Sequence, residues 1–406
     1  MSRSNSAVRP ALLRRMNAVA VLNAIRSSES PTTASDLMEA TKISRTTVHG
    51  VCEDLIEAGW VREVESRRAD DVLGTGRPAR RYEFNSNRGY VLGVDIGVYK
   101  TTALLANLRG DVVAETTTVF NDPRVPSAER IAAVRECADD VVAMAGVSPS
   151  RILALGVGLP GWGAPGPFAV SDELQPWVTD EELRVALRSS HGWPILLEND
   201  ANLAMLAERW RGVAAGTENV IVMLAGERLG SGLFIDGRLL RGRMGGAGEM
   251  GFLDMVEHVG SARGIAWQVR QIALEVIDEE RAHQRNAVEQ LDATSADAIF
   301  NAARSGSRLA LTVLERLAVK VAHTIAPMAI FLNPELVVIS GAVAQGQDLF
   351  LPRVRELLPA LTRTPPRLDA SPLGAEAVAL GGARLALDFV ELRAPDLSES
   401  TFVEER

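Results

Sequence analysis

Apolar side chains recur every three to four positions through RRMNAVAVLNAIRSS (14–28). Met16, Val19, Leu22 and Ile25 share one face there, the spacing of an amphipathic helix. SPTTASDLMEAT (30–41) opens with turn residues and predicts a short helix from about Ala34. Lys42 and Ile43 form the next turn. SRTTVHGVCEDLIEAGW (44–60) then begins with Ser44, a good N-cap. It carries Val48, Val51, Cys52, Leu55 and Ile56 as its apolar face and ends at Gly59. WVREVES and RRYEFN read as strands joined by RRADDVLGTGRPA. Two short helices on a tight turn followed by a hairpin form a winged helix-turn-helix, expected over residues 1–86.

From Tyr90 the pattern changes. YVLGVDIGVYKTTALLANLRGDVV is an apolar strand, a Gly-containing turn, a second strand and a hairpin turn at Arg109-Gly110-Asp111. ILALGVGLPG (152–161) and PILLENDAN are buried-type strands, the first ending in a Gly-Pro-Gly turn at Gly161. NVIVMLAGERLGSGLFIDG (219–237) supplies two more, and FLNPELVVISGAV (331–343) a sixth with a helix before it. Strands alternating with helices predict an α/β body over 87–390, with Gly-rich turns at strand ends where such sheets hold ligands. The polar segment from 391 to 406 reads as a disordered acidic tail.

Charge sharpens this division. Of the 406 residues, 47% are apolar and 23% charged, the balance of a globular protein, and the length predicts more than one core. Residues 1–90 hold 14 Arg/Lys against 11 Asp/Glu, a net +3, which leaves −12 for the remainder of a chain of net charge −9. Any nucleic-acid contact therefore falls to the head. In a winged helix-turn-helix the second helix enters the major groove. Its N-terminal end presents Ser44, Arg45, Thr46, Thr47 and His49. The arginine suits a guanine edge and a threonine suits a phosphate or a thymine methyl. In the wing, GTGRPARR gathers Arg77, Pro78, Arg80 and Arg81, suited to a narrow minor groove. Cys52 and Cys137 are far apart and form no metal or disulfide pattern, which fits a reducing cytoplasm. The most apolar long window, 324–344, contains Asn333, Pro334 and Glu335 and is not a membrane span, and no signal-peptide pattern is present.

The motifs taken together resemble the ROK family (repressors, open reading frames and kinases), on the actin-like sugar kinase fold. The resemblance rests on NAVAVLNAI, SRTTVHGVCEDLIEAGWV, GRPARRYEFN, VDIG, GLPG, ENDAN, GRLLRGRMGGAGEMG, NPELVVISGAV and GAEAVALGGARLAL, in that order over nearly the whole chain. It implies two lobes: one over about 87–200 plus a C-terminal helix at about 375–390, the other over about 201–374. A sugar would lie between them. The Asp of ENDAN, Asp200, would stand where family kinases hold their base, with Asn199 and Glu249 on other hydroxyls and Gly161 and Phe252 completing the contacts. A carboxylate accepts two hydrogen bonds from a diol, so the chemistry is consistent. The bland alternative is that Asn199 and Asp200 merely cap the following helix, for which Asp200 is well suited.

The departures from the family pattern bear on activity. Phe252 replaces the usual His after GEMG, and MVEHVGSARGIAWQ (255–268) lacks the family's cysteine cluster. His258 alone cannot supply a tetrahedral zinc site, so no metal and no cofactor is expected. Phe252 and Trp267 offer an apolar platform or simply fill the pocket. In the phosphate turns, Val98 and Tyr99 replace a glycine and a small hydroxyl residue. Glu227 places a carboxylate where phosphate would lie, and Arg228 replaces a glycine. Kinase activity is therefore not expected. The resemblance implies a cytoplasmic DNA-binding regulator, a repressor by the family's commoner mode. It would be a homodimer or homotetramer on a pseudo-palindromic operator and would respond to a sugar or sugar phosphate. The alternatives are control by a protein partner and, further off, a bifunctional sugar kinase.

Overall fold

The computed structural model describes residues 5–64, 80–122, 124–161, 178–243, 245–251, 253, 263–283, 290–341 and 346–393. The head contains α1 (Asn5–Ser27), β1 (Thr32–Thr33), α2 (Ala34–Thr41), α3 (Arg45–Glu57), β2 (Val61–Val64) and β3 (Arg81–Phe84). Local chemistry sets these boundaries. Thr33 and Asp36 form a reciprocal capping box at α2, and Lys42 closes that helix in the left-handed region at φ 60°. Ser44 caps α3 by accepting from the Thr47 N–H. The wing sheet has order β1-β3-β2, so Thr32 and Thr33 add a strand that the hairpin reading did not foresee.

Two expectations for the ends of the chain need correction. The first helix begins at Asn5, well before Arg14, and Met16 is 58% exposed. Among its described side chains Val21, Leu22 and Ile25 are buried in the cluster shared with α2 and α3, whereas Arg14 reaches α3 only through an exposed ion pair with Asp54. The tail does not start at 391. The last helix continues to Arg393, held by Glu391 pairing with Arg26 and by Arg15 donating to the Leu392 carbonyl.

The body contains two five-stranded sheets of one topology. The first has order β6-β5-β4-β7-β8, from β4 (Tyr90–Ile96), β5 (Lys100–Asn107), β6 (Val112–Val119), β7 (Ile152–Leu159) and β8 (Ile195–Asn199). The second has order β11-β10-β9-β12-β13, from β9 (Val220–Ala225), β10 (Leu229–Ile235), β11 (Arg238–Leu239), β12 (Leu336–Ser340) and β13 (Arg367–Ala370). Each joins an antiparallel meander to two parallel strands. The outer helices are α4 (Ser127–Met144) and α5 (Asp180–His191) on the first sheet, and α7 (Ile265–His283), α8 (Ala296–Arg304), α9 (Arg308–Leu332) and α10 (Gln347–Leu361) on the second. Among the described residues no helix is long and apolar enough to cross a membrane.

Between the sheets lie α6 (Asp200–Arg211) and α11 (Ala377–Arg393), packed on each other. The approach of α11 to α6 and to β7 depends on small residues. A Cβ on Gly381 would stand 1.9 Å from the Leu203 carbonyl, and one on Gly156 2.0 Å from the Gly382 carbonyl. The same α11 carries Leu380, Ala383, Leu387 and Val390 into the core that holds the head. Head and body thus share one apolar cluster through α11.

Candidate functional site

Two surfaces carry chemistry. On the head, Ser44, Arg45 and Thr46 are exposed at the start of α3. The Ser44 and Thr47 hydroxyls bond each other at 2.9 Å, so this pair shapes the helix start while Arg45 and Thr46 project. His49 does not project in the same way. It is half-buried, and its Nδ1 lies 3.3 Å from the Tyr82 hydroxyl, so it ties α3 to the wing strand. Arg80 stands 3.5 Å from Glu63 and 3.9 Å from Glu53, and keeps 44% of its side chain exposed. Arg77 and Pro78 lie outside the described residues.

The second surface is the cleft between the sheets. Strand β8 ends at Asn199, whose side chain accepts from the Asn202 N–H at 3.1 Å. Asn199 is therefore the cap of α6, and of the two residues named in the capping alternative only Asn199 makes the capping bond. Asp200 is the first helical residue. Its Oδ1 accepts from the Ala201 N–H at 2.8 Å, and the carboxylate lines the cleft. Glu198, given no role from the sequence, braces this turn from behind. It accepts from Asn199 N–H, from Asn202 Nδ2 and, at 2.7 Å, from Arg241 Nε. Opposite, Ser231 N–H and Oγ both donate to the Gly248 carbonyl, and Glu249 bridges Gly230. These bonds hold Glu249 over the cleft.

Asp200, Asn199, Glu249 and Gly161 line one cavity of about 40 Å³, together with Arg228. Gly161 has φ 69°, and a Cβ there would lie 3.8 Å from the Arg228 guanidinium. Asp200 and Arg228 also border a larger cavity of about 290 Å³, whose walls include Asp95, Val98, Tyr99, Lys100 and Glu227. Burial raises the Asp200 carboxyl to about 7; Asp95 and Glu249 push the same way, and the Ala201 N–H and Arg228 oppose. Burial raises Asp95 to about 6 against the pull of Lys100, and raises Glu249 against the pull of Arg228. Asp95, at the end of the VDIG strand, thus joins the cleft carboxylates, a meeting that its local sequence does not signal.

The larger cavity is walled by turns that have turned inward. In the first turn the Gly97 N–H donates to the Lys100 carbonyl at 2.8 Å. The buried Arg130 donates to the Gly97 and Val98 carbonyls at 2.8 and 2.9 Å. In the second, the Gly226 N–H donates to the Arg228 carbonyl, while Gly264 and Ala266 donate to the Glu227 and Gly226 carbonyls. Glu227 does not stand as an isolated charge, which corrects the repulsion argument. Arg270 of α7 grips it through two bonds of 2.8 and 2.7 Å, with both side chains at most 20% exposed. In these turns the Gly97 and Gly226 N–H groups are thus bonded internally and the Glu227 charge is neutralised by Arg270.

The platform of Phe252 and Trp267 falls partly outside the described residues. Phe252 and His258 lie outside the described residues. Trp267 lines neither cavity, and the Arg263 guanidinium lies 5.5 Å from its ring. Among the described residues, no group of His, Cys, Asp and Glu could hold a metal.

A profile described as the ROK family matches residues 91–388, and one described as the MarR family matches residues 13–69. A xylose repressor from Caldicellulosiruptor bescii is 26% identical over 86% of this chain and 88% of its own. A glucokinase from Halalkalibacterium halodurans is 28% identical over 67% of this chain and 85% of its own. Among solved structures, a ROK-family transcriptional regulator described as a homologue of Escherichia coli Mlc superposes with a TM-score of 0.73. It is 21% identical and covers 95% of this chain and 99% of its own. A ROK glucokinase from Streptomyces griseus, in complex with glucose and AMPPNP, superposes at 0.59, with 25% identity over 74% of this chain and 100% of its own.

Proposed function

The chain belongs to the ROK family, and on that premise we propose that it is a DNA-binding transcriptional repressor whose kinase-like cleft senses a sugar without phosphorylating it. Residues 1–86 form the reading head and 87–390 the sensing body, with lobes divided near residue 200 and rejoined by α11. Arg45 and Thr46 reach base edges, Ser44 and Thr47 set the helix start, and Arg77, Pro78 and Arg80 serve the wing. The regulator acts in the cytoplasm as a homodimer on a pseudo-palindromic operator.

One observation carries this reading: the cleft keeps hydroxyl-binding groups on one side, while on the other the Gly97 and Gly226 amides bond within their turns beside the Glu227–Arg270 pair. Asn199, Asp200 and Glu249 offer acceptors to a polyol. On the other side the Gly97 and Gly226 N–H groups bond within their own turns and Glu227 is paired with Arg270, which supports a cleft ill suited to a triphosphate, because phosphoryl transfer is almost wholly positioning and charge stabilisation of phosphates. Asp200 is then a hydrogen-bonding hook. The sugar side is narrow, at about 40 Å³, whereas ligand sites commonly hold several hundred. A sugar would couple to the head only by binding two states of the cleft unequally.

Fluorescence anisotropy on DNA upstream of the protein's own gene tests the reading. Tight, salt-dependent binding is expected, changed by one aldose from a panel that includes the xylose and glucose named for its relatives. DNA binding indifferent to every sugar would favour control by a protein partner.

A further inference from the structure

Head and body meet around another cavity, of about 170 Å³, lined by Arg26, Leu108, Arg109, Trp210 and Arg384. Arg26 comes from the last turn of α1, Arg109 from the hairpin between β5 and β6, and Arg384 from α11. Three guanidinium groups from three elements thus converge on one small void. Carboxylates answer only part of this charge. Glu391 pairs with Arg26 and lies 3.0 Å from Arg384, and Asp388 pairs with Arg384. Arg109 meets no carboxylate among the described residues. It donates to the Arg26 and Ser28 carbonyls at 2.9 and 3.1 Å and lies over the Phe84 ring. The Arg26 guanidinium is held below its ordinary pKa, first by burial, then by the nearby Arg384 and by Arg109, with Asp388 opposing.

We propose that this cavity is a regulatory site for a phosphate group, which clamps the head onto the body. A tetrahedral oxyanion accepts hydrogen bonds from several directions at once, and planar guanidinium forks match phosphate oxygens in pairs. The void has room for such a group, being several times the roughly 30 Å³ that a water occupies in the liquid. A bound phosphate relieves the repulsion among the three arginines and ties α1 to the β5–β6 hairpin and to α11. The head's orientation then depends on phosphate as well as on the cleft. The chemistry is shared by the inorganic ion and by phosphorylated metabolites, for which the Trp210 ring supplies an apolar wall.

The test uses the full-length chain. Inorganic phosphate is titrated at constant ionic strength, with chloride replaced, while Tm and equilibrium dialysis are read. The site predicts a saturable rise in Tm and one phosphate per chain. Arg384→Gln and Arg109→Gln are each expected to weaken binding by about tenfold or more, with circular dichroism confirming that the variants fold. A hexose 6-phosphate run in parallel separates the sources: tighter binding than inorganic phosphate assigns the site to an esterified metabolite, and equal binding assigns it to the free ion. A Tm rise no larger than with chloride, or binding undiminished in both variants, overturns the proposal. If a variant does not fold, the stoichiometry of the unaltered protein still decides.

Discussion

On one side of Asp200 the cleft is lined by Asn199, Gly161 and Glu249; on the other it is walled by Val98, Tyr99 and the Glu227–Arg270 pair. Both sides are made at strand ends of two sheets with the same topology. They differ in where their hydrogen-bonding groups point. On the first side, backbone groups hold one another so that carboxylates face the space: Asn199 caps α6, which leaves Asp200 to the cleft. On the second, side chains and neighbouring loops consume the backbone groups themselves, as Arg130 does at Gly97 and Val98. The same architecture therefore presents a ligand-facing surface or a self-satisfied wall, depending on a few side chains.

This contrast can be broken by attacking the wall. Glu227→Ala leaves Arg270 half-buried without its partner and is expected to cost about 3 kcal/mol, read as a fall in the urea midpoint. Glu227→Ala with Arg270→Met, which removes both charges, should restore most of it. A single variant as stable as the parent would show that the pair does not hold the wall.

The contrast is sharpened, with a smaller effect, by pH. Asp200 at about 7 and Asp95 at about 6 stand above the ordinary aspartate value. The native state then holds protons that the unfolded chain has released, so stability is greatest at low pH within this window and declines as pH rises from about 4 to about 7. Solvent in the cleft reduces the effect to about 1–2 kcal/mol. Asp200→Asn should flatten much of the slope and raise Tm at pH 8. A slope unchanged in this variant would place the titrating group elsewhere.

The fold was largely legible because its signals are local. Ser44 as a cap, the apolar spacing of α3 and the hairpin turn at Arg109-Gly110-Asp111 depend on a few neighbouring residues, and each appears where expected. The ENDAN stretch announced a cleft residue, but it left open whether Asn199 and Asp200 cap the helix or face a ligand, because that division depends on where one helix starts. Glu227 shows a different limit. Its partner Arg270 is 43 residues away, and no periodicity links them. Glu198 with Arg241, and Arg26 with Arg109 and Arg384, are likewise long-range meetings, set by how α6 and α11 cross between the sheets. Met16 kept helical spacing yet stands in solvent, because spacing defines a face without saying how far the partner surface extends.

The central claim is that the cleft binds a sugar but not a nucleoside triphosphate. Isothermal titration calorimetry of the full-length chain tests it most directly, with an aldose panel and, separately, with magnesium and a non-hydrolysable ATP analogue. The account predicts saturable binding of an aldose, lost in Asp200→Ala, and no binding of the nucleotide. Nucleotide binding, with or without a sugar, would contradict it and reopen the cleft as a kinase site.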